Sequence, residues 1–180
     1  MMFSRLSVRR SALVVALSTT LLGLGACSDE AARQQSLVPL EIDRSTACEL
    51  DGMLLADYPG PKAQVFYAGQ ERPVFFCDTV ELFNTLLQGE QVRAVRAVYV
   101  QDMGQAAWDE PQGHWIDAKT AFYVVGSKRH GSMGPTFASF AQKADAEKFA
   151  AEFGGRVLPY DGIQPDMADL SGGALHDTRM

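Results

Sequence analysis

The sequence predicts an α+β domain in which two related β-β-α-β units pack as one small body. Three observations carry that prediction: apolar runs too short for helices, two longer stretches with apolar residues at helical spacing, and the return of the same element order further along. In the first unit, about residues 62–100, Lys62–Tyr67 reads as a strand, Gly69-Gln70 as a turn and Pro73–Cys77 as a second strand. Thr79–Leu87 then reads as an amphipathic helix and Arg93–Val100 as the closing strand. In the second unit, about residues 120–160, the order returns: strand Thr120–Val125, a glycine-rich loop Gly126–Gly134, strand Thr136–Phe140, helix Lys143–Phe153 and strand Arg156–Tyr160. Ala144, Phe149, Ala150 and Phe153 are expected on the apolar face of that helix, with Asp145, Glu147 and Lys148 largely outside it. Gly154-Gly155 supplies its stop. Residues 101–118 are expected to be a joining loop. Matching order and similar spacing argue for a duplication, although two small α+β units can look alike without common descent.

Ahead of this domain, Arg5, Arg9 and Arg10 precede the apolar run Ala12–Leu24, which is short for a membrane span and ends in small residues. Residues 1–26 therefore read as an export signal. The run closes as Leu24-Gly25-Ala26-Cys27, the pattern of a bacterial lipobox, so Cys27 is expected to carry lipid and anchor the chain to a membrane. Ser28 after it is the residue that outer-membrane sorting favours, which places the protein in the periplasm, anchored to the outer membrane. Arg9-Arg10 also hints at twin-arginine export, with an incomplete motif. Residues 27–44 are expected to form the lipidated N-terminus and a flexible tether, because Ser28–Leu37 is polar and lacks apolar periodicity. The folded domain is expected over residues 45–163 and a frayed tail over residues 164–180.

Beyond the export signal the chain is long enough for one compact domain and unlike several. The full chain carries a net charge of -6, and the export segment removes arginines but no acid, so the remainder is more acidic still. That balance argues against nucleic acid and anionic lipid surfaces as partners, and for cations or basic protein patches. A monomer is expected.

Cys48-Glu-Leu-Asp51-Gly-Met53 places a thiol and a thioether close together in a polar stretch, and Gly52 permits the tight turn that brings them together. Soft sulfur donors outside the cytoplasm select soft metal, copper(I) above all. Copper(I) is a d10 ion that needs only two or three donors, and the chain lacks the four-ligand pattern of structural zinc. Cys77 can pair with Cys48 in a disulfide. It can equally be a small buried hydrophobe, since it ends the run Val74-Phe75-Phe76 before Asp78, a good helix N-cap. On the second reading, Cys77→Ala should hardly affect the metal.

The string Cys48-x-x-Asp51-Gly52-Met53-Leu-Leu, then Tyr58-Pro-Gly-Pro-Lys-Ala-Gln64, closely resembles the copper-chaperone lipoproteins of the NosL family. Tyr99-Val-Gln-Asp-Met103-Gly, Trp115-Ile-Asp-Ala118, Ala121-Phe-Tyr-Val-Val-Gly-Ser127 and Gly131-Ser-Met133-Gly134 extend the resemblance along the chain. Many members carry Cys-x-x-Cys-Gly-Met, whereas Asp51 stands here at the second cysteine position. The resemblance implies a pair of β-β-α-β units related to part of the organomercurial lyases. It also implies a function: binding copper(I) in the periplasm and delivering it for assembly of the copper centres of nitrous oxide reductase, with a membrane transporter complex of the same maturation pathway as relay partner.

The expected metal ligands are Cys48 as anionic donor, Met53, and Met133, whose loop offers it no helix or strand stripe to complete. Met103 and His130 are the remaining candidates. Relatives often hold an aromatic residue at the Met103 position, which is compatible with packing, and His130 after Lys128-Arg129 can equally belong to a solvated basic turn. Asp51 suits a turn better than copper(I). No enzyme is expected, because no Gly-x-Ser-x-Gly or comparable nucleophile arrangement is present. Two other readings stay open: a metal-independent docking lipoprotein of an envelope complex, and a mercurial-lyase-like enzyme using Cys48, Cys77 and Asp51.

Overall fold

The computed structural model describes residues 37–87 and 92–170. The expected export segment, Cys27, most of the tether and residues 171–180 lie outside the described residues. The strands are β1 (Ala63–Tyr67), β2 (Val74–Phe76), β3 (Val95–Gln101), β4 (Trp115–Asp117), β5 (Phe122–Val125), β6 (His130–Gly131), β7 (Gly134–Pro135), β8 (Ala138–Phe140) and β9 (Arg156–Pro159). The helices are α1 (Thr79–Leu87) and α2 (Lys143–Phe153). Among the described residues, no helix is long and apolar enough to cross a membrane.

The two units have the same topology. One sheet runs β2-β1-β3-β4 and the other β8-β5-β9, so in each the first strand of the unit lies between the other two, antiparallel to both. The turn after β1 explains the first pairing: Gly69 adopts φ +79, and Gln70 N–H donates to Tyr67 O at 3.2 Å, reversing the chain. Strand alternation then sorts the side chains of β1. Ala63, Val65 and Tyr67 enter the main core, while Gln64 and Phe66 point to the opposite face. There Phe66 meets the Tyr99 ring edge-on at 6.3 Å.

Both units contribute to one core, which joins Val65 and Val100 to Tyr123 and Phe137. Helix α1 is the wedge between them. Its Phe83 lies T-shaped against Tyr123, with centroids 5.0 Å apart, and Thr79 Oγ1 donates to Phe137 O at 2.6 Å. A second joint lies where β3 ends: Ser139 Oγ donates to Gln101 O at 2.6 Å, and Asp102 Oδ1 accepts from Ala141 N at 3.1 Å.

Several expectations are corrected. The joining loop contains β4, which pairs with β3 through Tyr99↔Asp117, a three-residue strand too short to show a period in the sequence. The glycine-rich loop contains the small hairpin β6–β7. On α2 the inward positions are Ala146, Phe149, Ala150 and Phe153, and Ala144 is exposed. This set follows i, i+3, i+4, i+7. Gly154 ends the helix as expected, at φ +79, with its N–H on Ala150 O.

The tether does not extend through residue 44. Leu40 makes a two-way pair with the buried Gln64 amide, both bonds at 2.9 Å, and Tyr99 donates its hydroxyl to Leu37 O. Nor does the frayed tail begin at residue 164. Pro165–Ala168 is a 3-10 turn, Ala168 is fully buried, and its carbonyl accepts from Asn84 Nδ2 on α1 at 2.8 Å.

Candidate metal centre

The loop that carries Cys48 closes on itself. Cys48 N–H donates to Met53 O at 2.8 Å, Gly52 N–H to Cys48 O at 3.0 Å, and Asp51 Oδ1 accepts from Met53 N at 3.0 Å. Gly52 sits at φ +76, where a side chain would be strained. Asp51 thus serves the turn. Although it lies in a polar stretch, Cys48 is only 4% exposed. The reason is a parallel bridge to Phe75, with Glu49 N–H on Phe75 O at 2.7 Å, which lays the loop along β2 and turns the sulfur inward.

That placement brings Cys48 to Cys77, at the junction of β2 and α1. The two sulfurs and a carboxylate oxygen of Asp51 all lie within 4.8 Å of one another. Both cysteines are free thiols. Cys77 is the residue that sequence reasoning set aside. Its apolar neighbours signalled burial correctly, and of the two readings only the disulfide brought Cys48 beside it. Met53 is half-buried in the same cluster, which also contains Leu55, Ile42, Tyr58 and Phe75.

Ionisable groups surround the two thiols. Glu81, on the first turn of α1, has Oε2 3.1 Å from Cys48 Sγ, and its Oε1 accepts from Ser132 Oγ at 3.3 Å. Asp78 caps α1 by accepting Val80 N–H at 2.9 Å, and also accepts Thr136 Oγ1–H and, at 3.1 Å, Ser132 N–H. Lys62 is 1% exposed and donates through Nζ to Pro59 O at 2.9 Å and Cys77 O at 3.0 Å.

The hydrogen bond donated by the Cys77 thiol is the main reason that Cys48 is pulled down to about 6. Burial opposes that shift, and backbone N–H groups and Glu81 assist it. Cys77 is pushed up by the same bond and by burial. Burial first, then the Cys48 charge, pushes Glu81 up to about 9, and burial pushes Asp78 up to about 6. Burial lowers Lys62, against the attraction of Asp78, Cys77 and Glu81. At neutral pH these directions leave a thiolate on Cys48 and a proton on Glu81 facing it. A thiolate is the form that binds metal.

The other candidates separate. Met133 follows Ser132 in the β6–β7 turn and is 36% exposed, so the contacts from Ser132 to Asp78 and Glu81 hold its hairpin at the edge of the cysteine cluster. His130 is exposed on β6, and its carbonyl accepts from Trp108 Nε1 at 3.1 Å. Met103 lies in a different cluster, packed with Trp108 and Phe149 around Val124, Ala138, Phe140 and Ala146. The structure therefore brings together Cys48, Met53 and Cys77, sets Ser132, the neighbour of Met133, against Asp78 and Glu81, and puts Met103 elsewhere.

Comparison with known proteins gives concordant matches. The NosL family model matches residues 39–168. The copper-binding lipoprotein NosL of Stutzerimonas stutzeri is 40% identical over 161 residues, covering 86% of this chain and 83% of that one. The protein of the same description from Achromobacter cycloclastes is 40% identical over 139 residues, 75% of this chain and 71% of its own. The crystal structure of the copper chaperone NosL from Shewanella denitrificans superposes with a TM-score of 0.71 at 39% identity, covering 73% of this chain and 99% of that one.

Proposed function

The chain belongs to the NosL family, and from that premise we propose that it is a periplasmic copper(I) chaperone, lipid-anchored through Cys27. It delivers copper for assembly of the copper centres of nitrous oxide reductase, with a membrane transporter complex of the same pathway as relay partner. The observation that carries this reading is the reduced Cys48 sulfur, turned inward beside a second thiol and the Met53 loop. Soft donors in that number suit copper(I), which is satisfied by two or three of them. The names of the relatives, copper-binding lipoproteins and a copper chaperone, support both the cargo and the anchor.

Cys48 is an anionic ligand, and Met53 and Met133 are thioether ligands from the Cys48 loop and the β6–β7 turn. Transfer proceeds by ligand exchange: a donor of the partner binds copper(I) before Cys48 leaves, so the ion is never free and its oxidation state does not change.

An anaerobic copper(I) titration of the reduced protein against a chromophoric competitor, beside Cys48→Ala, tests the reading. One ion per chain, lost in the variant, is the expected result. The delivery step is tested by incubating copper-loaded protein with metal-free nitrous oxide reductase and measuring recovered reductase activity. A wild type that does not compete for copper(I) would overturn the assignment.

A further inference from the structure

We propose that Cys77 is a second copper(I) ligand, so that the ion is held between two thiolates, Cys48 from the loop and Cys77 from the end of β2; the proposal rests on the chaperone reading above. The spacing is the first argument. Metal–thiolate bonds of roughly 2.3 Å let one ion bridge two sulfurs up to about 4.6 Å apart, and these two lie within 4.8 Å of each other. Little movement is needed to place an ion between them.

The second argument is the orientation of Cys77. It has no exposed surface, yet its sulfur points into the cluster with Cys48 and Met53, where among the described residues its hydrogen-bond acceptor besides Cys48 is the Met53 carbonyl at 3.6 Å. That is a weak commitment, easily exchanged for a metal bond.

Charge supplies the third argument. One copper(I) ion and two thiolates carry one net negative charge, which a buried site accepts only beside a compensating cation. Lys62 is that cation. It is fully enclosed, its Nζ is anchored to the Cys77 carbonyl, and its charge acts on Asp78, Cys77, Glu81 and Cys48 together, so it offsets part of the added negative charge.

The two ligands also differ mechanically. Cys77 sits between Phe76, paired to Ala63 in the sheet, and Asp78, the cap of α1. Cys48 sits on a six-residue turn whose Leu50 and Asp51 face solvent. The site therefore has one ligand fixed in the framework and one on the open side. As copper(I) binds, the Cys77 S–H bond breaks and its proton passes to water while the Cys77 S–Cu bond forms. On transfer, partner donors replace first Cys48 and then Cys77, which takes a proton back. No electron is moved.

The test uses the reduced protein under anaerobic conditions. Copper K-edge X-ray absorption of the loaded wild type is expected to show two short thiolate bonds, and Cys77→Ser to weaken copper(I) binding by more than the roughly 10–100-fold that losing a supporting outer contact costs. A single thiolate in the wild-type spectrum, or Cys77→Ser with wild-type affinity while Cys48→Ser has lost it, would overturn the proposal and leave the chaperone reading standing. No copper(I) binding by the wild type would overturn both. Because methionine sulfur also scatters as sulfur, the spectrum is repeated on the Met53→Ala Met133→Ala double variant, where two short sulfur bonds remain only if Cys77 is bound, so the proposal is decided even where Cys77→Ser does not fold.

Discussion

The carboxyl group of Glu81 lies 3.1 Å from the sulfur of Cys48, although 33 residues separate the two in the chain. Helix α1 and the Cys48 loop meet only because β2 lies between them, carrying the bridge from Phe75 at one side and Cys77 at its end. The contact couples a proton on Glu81 to the charge on Cys48, and it determines how stability should respond to pH.

Glu81 is raised from 4.5 to about 9, so its stabilising contribution is complete below about 4.5 and is lost as pH rises through about 9. Cys48 is lowered from 9.0 to about 6, so its contribution is present above about 9 and is lost as pH falls through about 6. Between about 6 and 9 the two trends oppose each other. Glu81→Gln keeps a neutral donor and acceptor in place of the protonated carboxyl, so the metal-free variant should gain stability over the wild type as pH rises across that window. Thermal unfolding of both proteins in reductant checks this, and parallel pH profiles would contradict it.

Met53 and Met133 are predicted to act on copper, Met103 on the fold. Met53→Ala and Met133→Ala should each weaken copper(I) binding, by less than Cys48→Ala does. Met103→Ala removes packing from the cluster around Val124 and Phe149 and should cost roughly 2 kcal/mol in urea unfolding while copper affinity is unchanged. A Met103 variant that lost copper without losing stability would move the site.

Gly131 is held close to Asp78. A Cβ on Gly131 would overlap Asp78 Oδ2 and meet Thr136 Cβ at 3.0 Å. Gly131→Ala should therefore break the contacts from Asp78 to Ser132 and Thr136, destabilise the protein by about 1–3 kcal/mol and loosen the hairpin that carries Met133. Chemical denaturation measures the first effect and copper(I) competition the second. A neutral outcome in both would mean that the hairpin yields without strain.

The segment before Cys48 is predicted to depend on one amide. Gln64→Leu leaves the N–H and C=O of Leu40 without their partner and should cost about 1–3 kcal/mol. Hydrogen exchange should then accelerate at residues 37–42, and unchanged protection there would show that the Tyr99–Leu37 bond and the bond from Gly113 N–H to the Glu41 carboxylate hold the segment without Gln64.

Both helices, and the six strands expected in the two units, were legible because they are local. Thr79–Leu87 and Lys143–Phe153 stand as read, since their apolar spacing spans at least two turns, and the strands differ only at their ends. The short strands β4, β6 and β7 were not legible. Two or three residues hold no period, and such strands form because a longer strand or a tight turn offers them hydrogen bonds. The exposed position of Ala144 shows the same limit at the scale of a helix face, where a one-residue rotation depends on what packs against it.

At the site, the turn Cys48–Met53 was readable because Gly52 and Asp51 determine its shape locally. From its own residues and family pattern the chain therefore determines the sulfur-bearing loop, the two helices, the repeated strand order and the family. Only the tertiary structure decides that Cys48 is buried, that Cys77 and Glu81 meet its sulfur, and that Lys62 holds the Cys77 carbonyl. The physical reason is that these groups reach one another through the pairing of separate chain segments, the Cys48 loop on β2 and β2 on β1, and a pairing across dozens of residues leaves no mark in the spacing of any one of them.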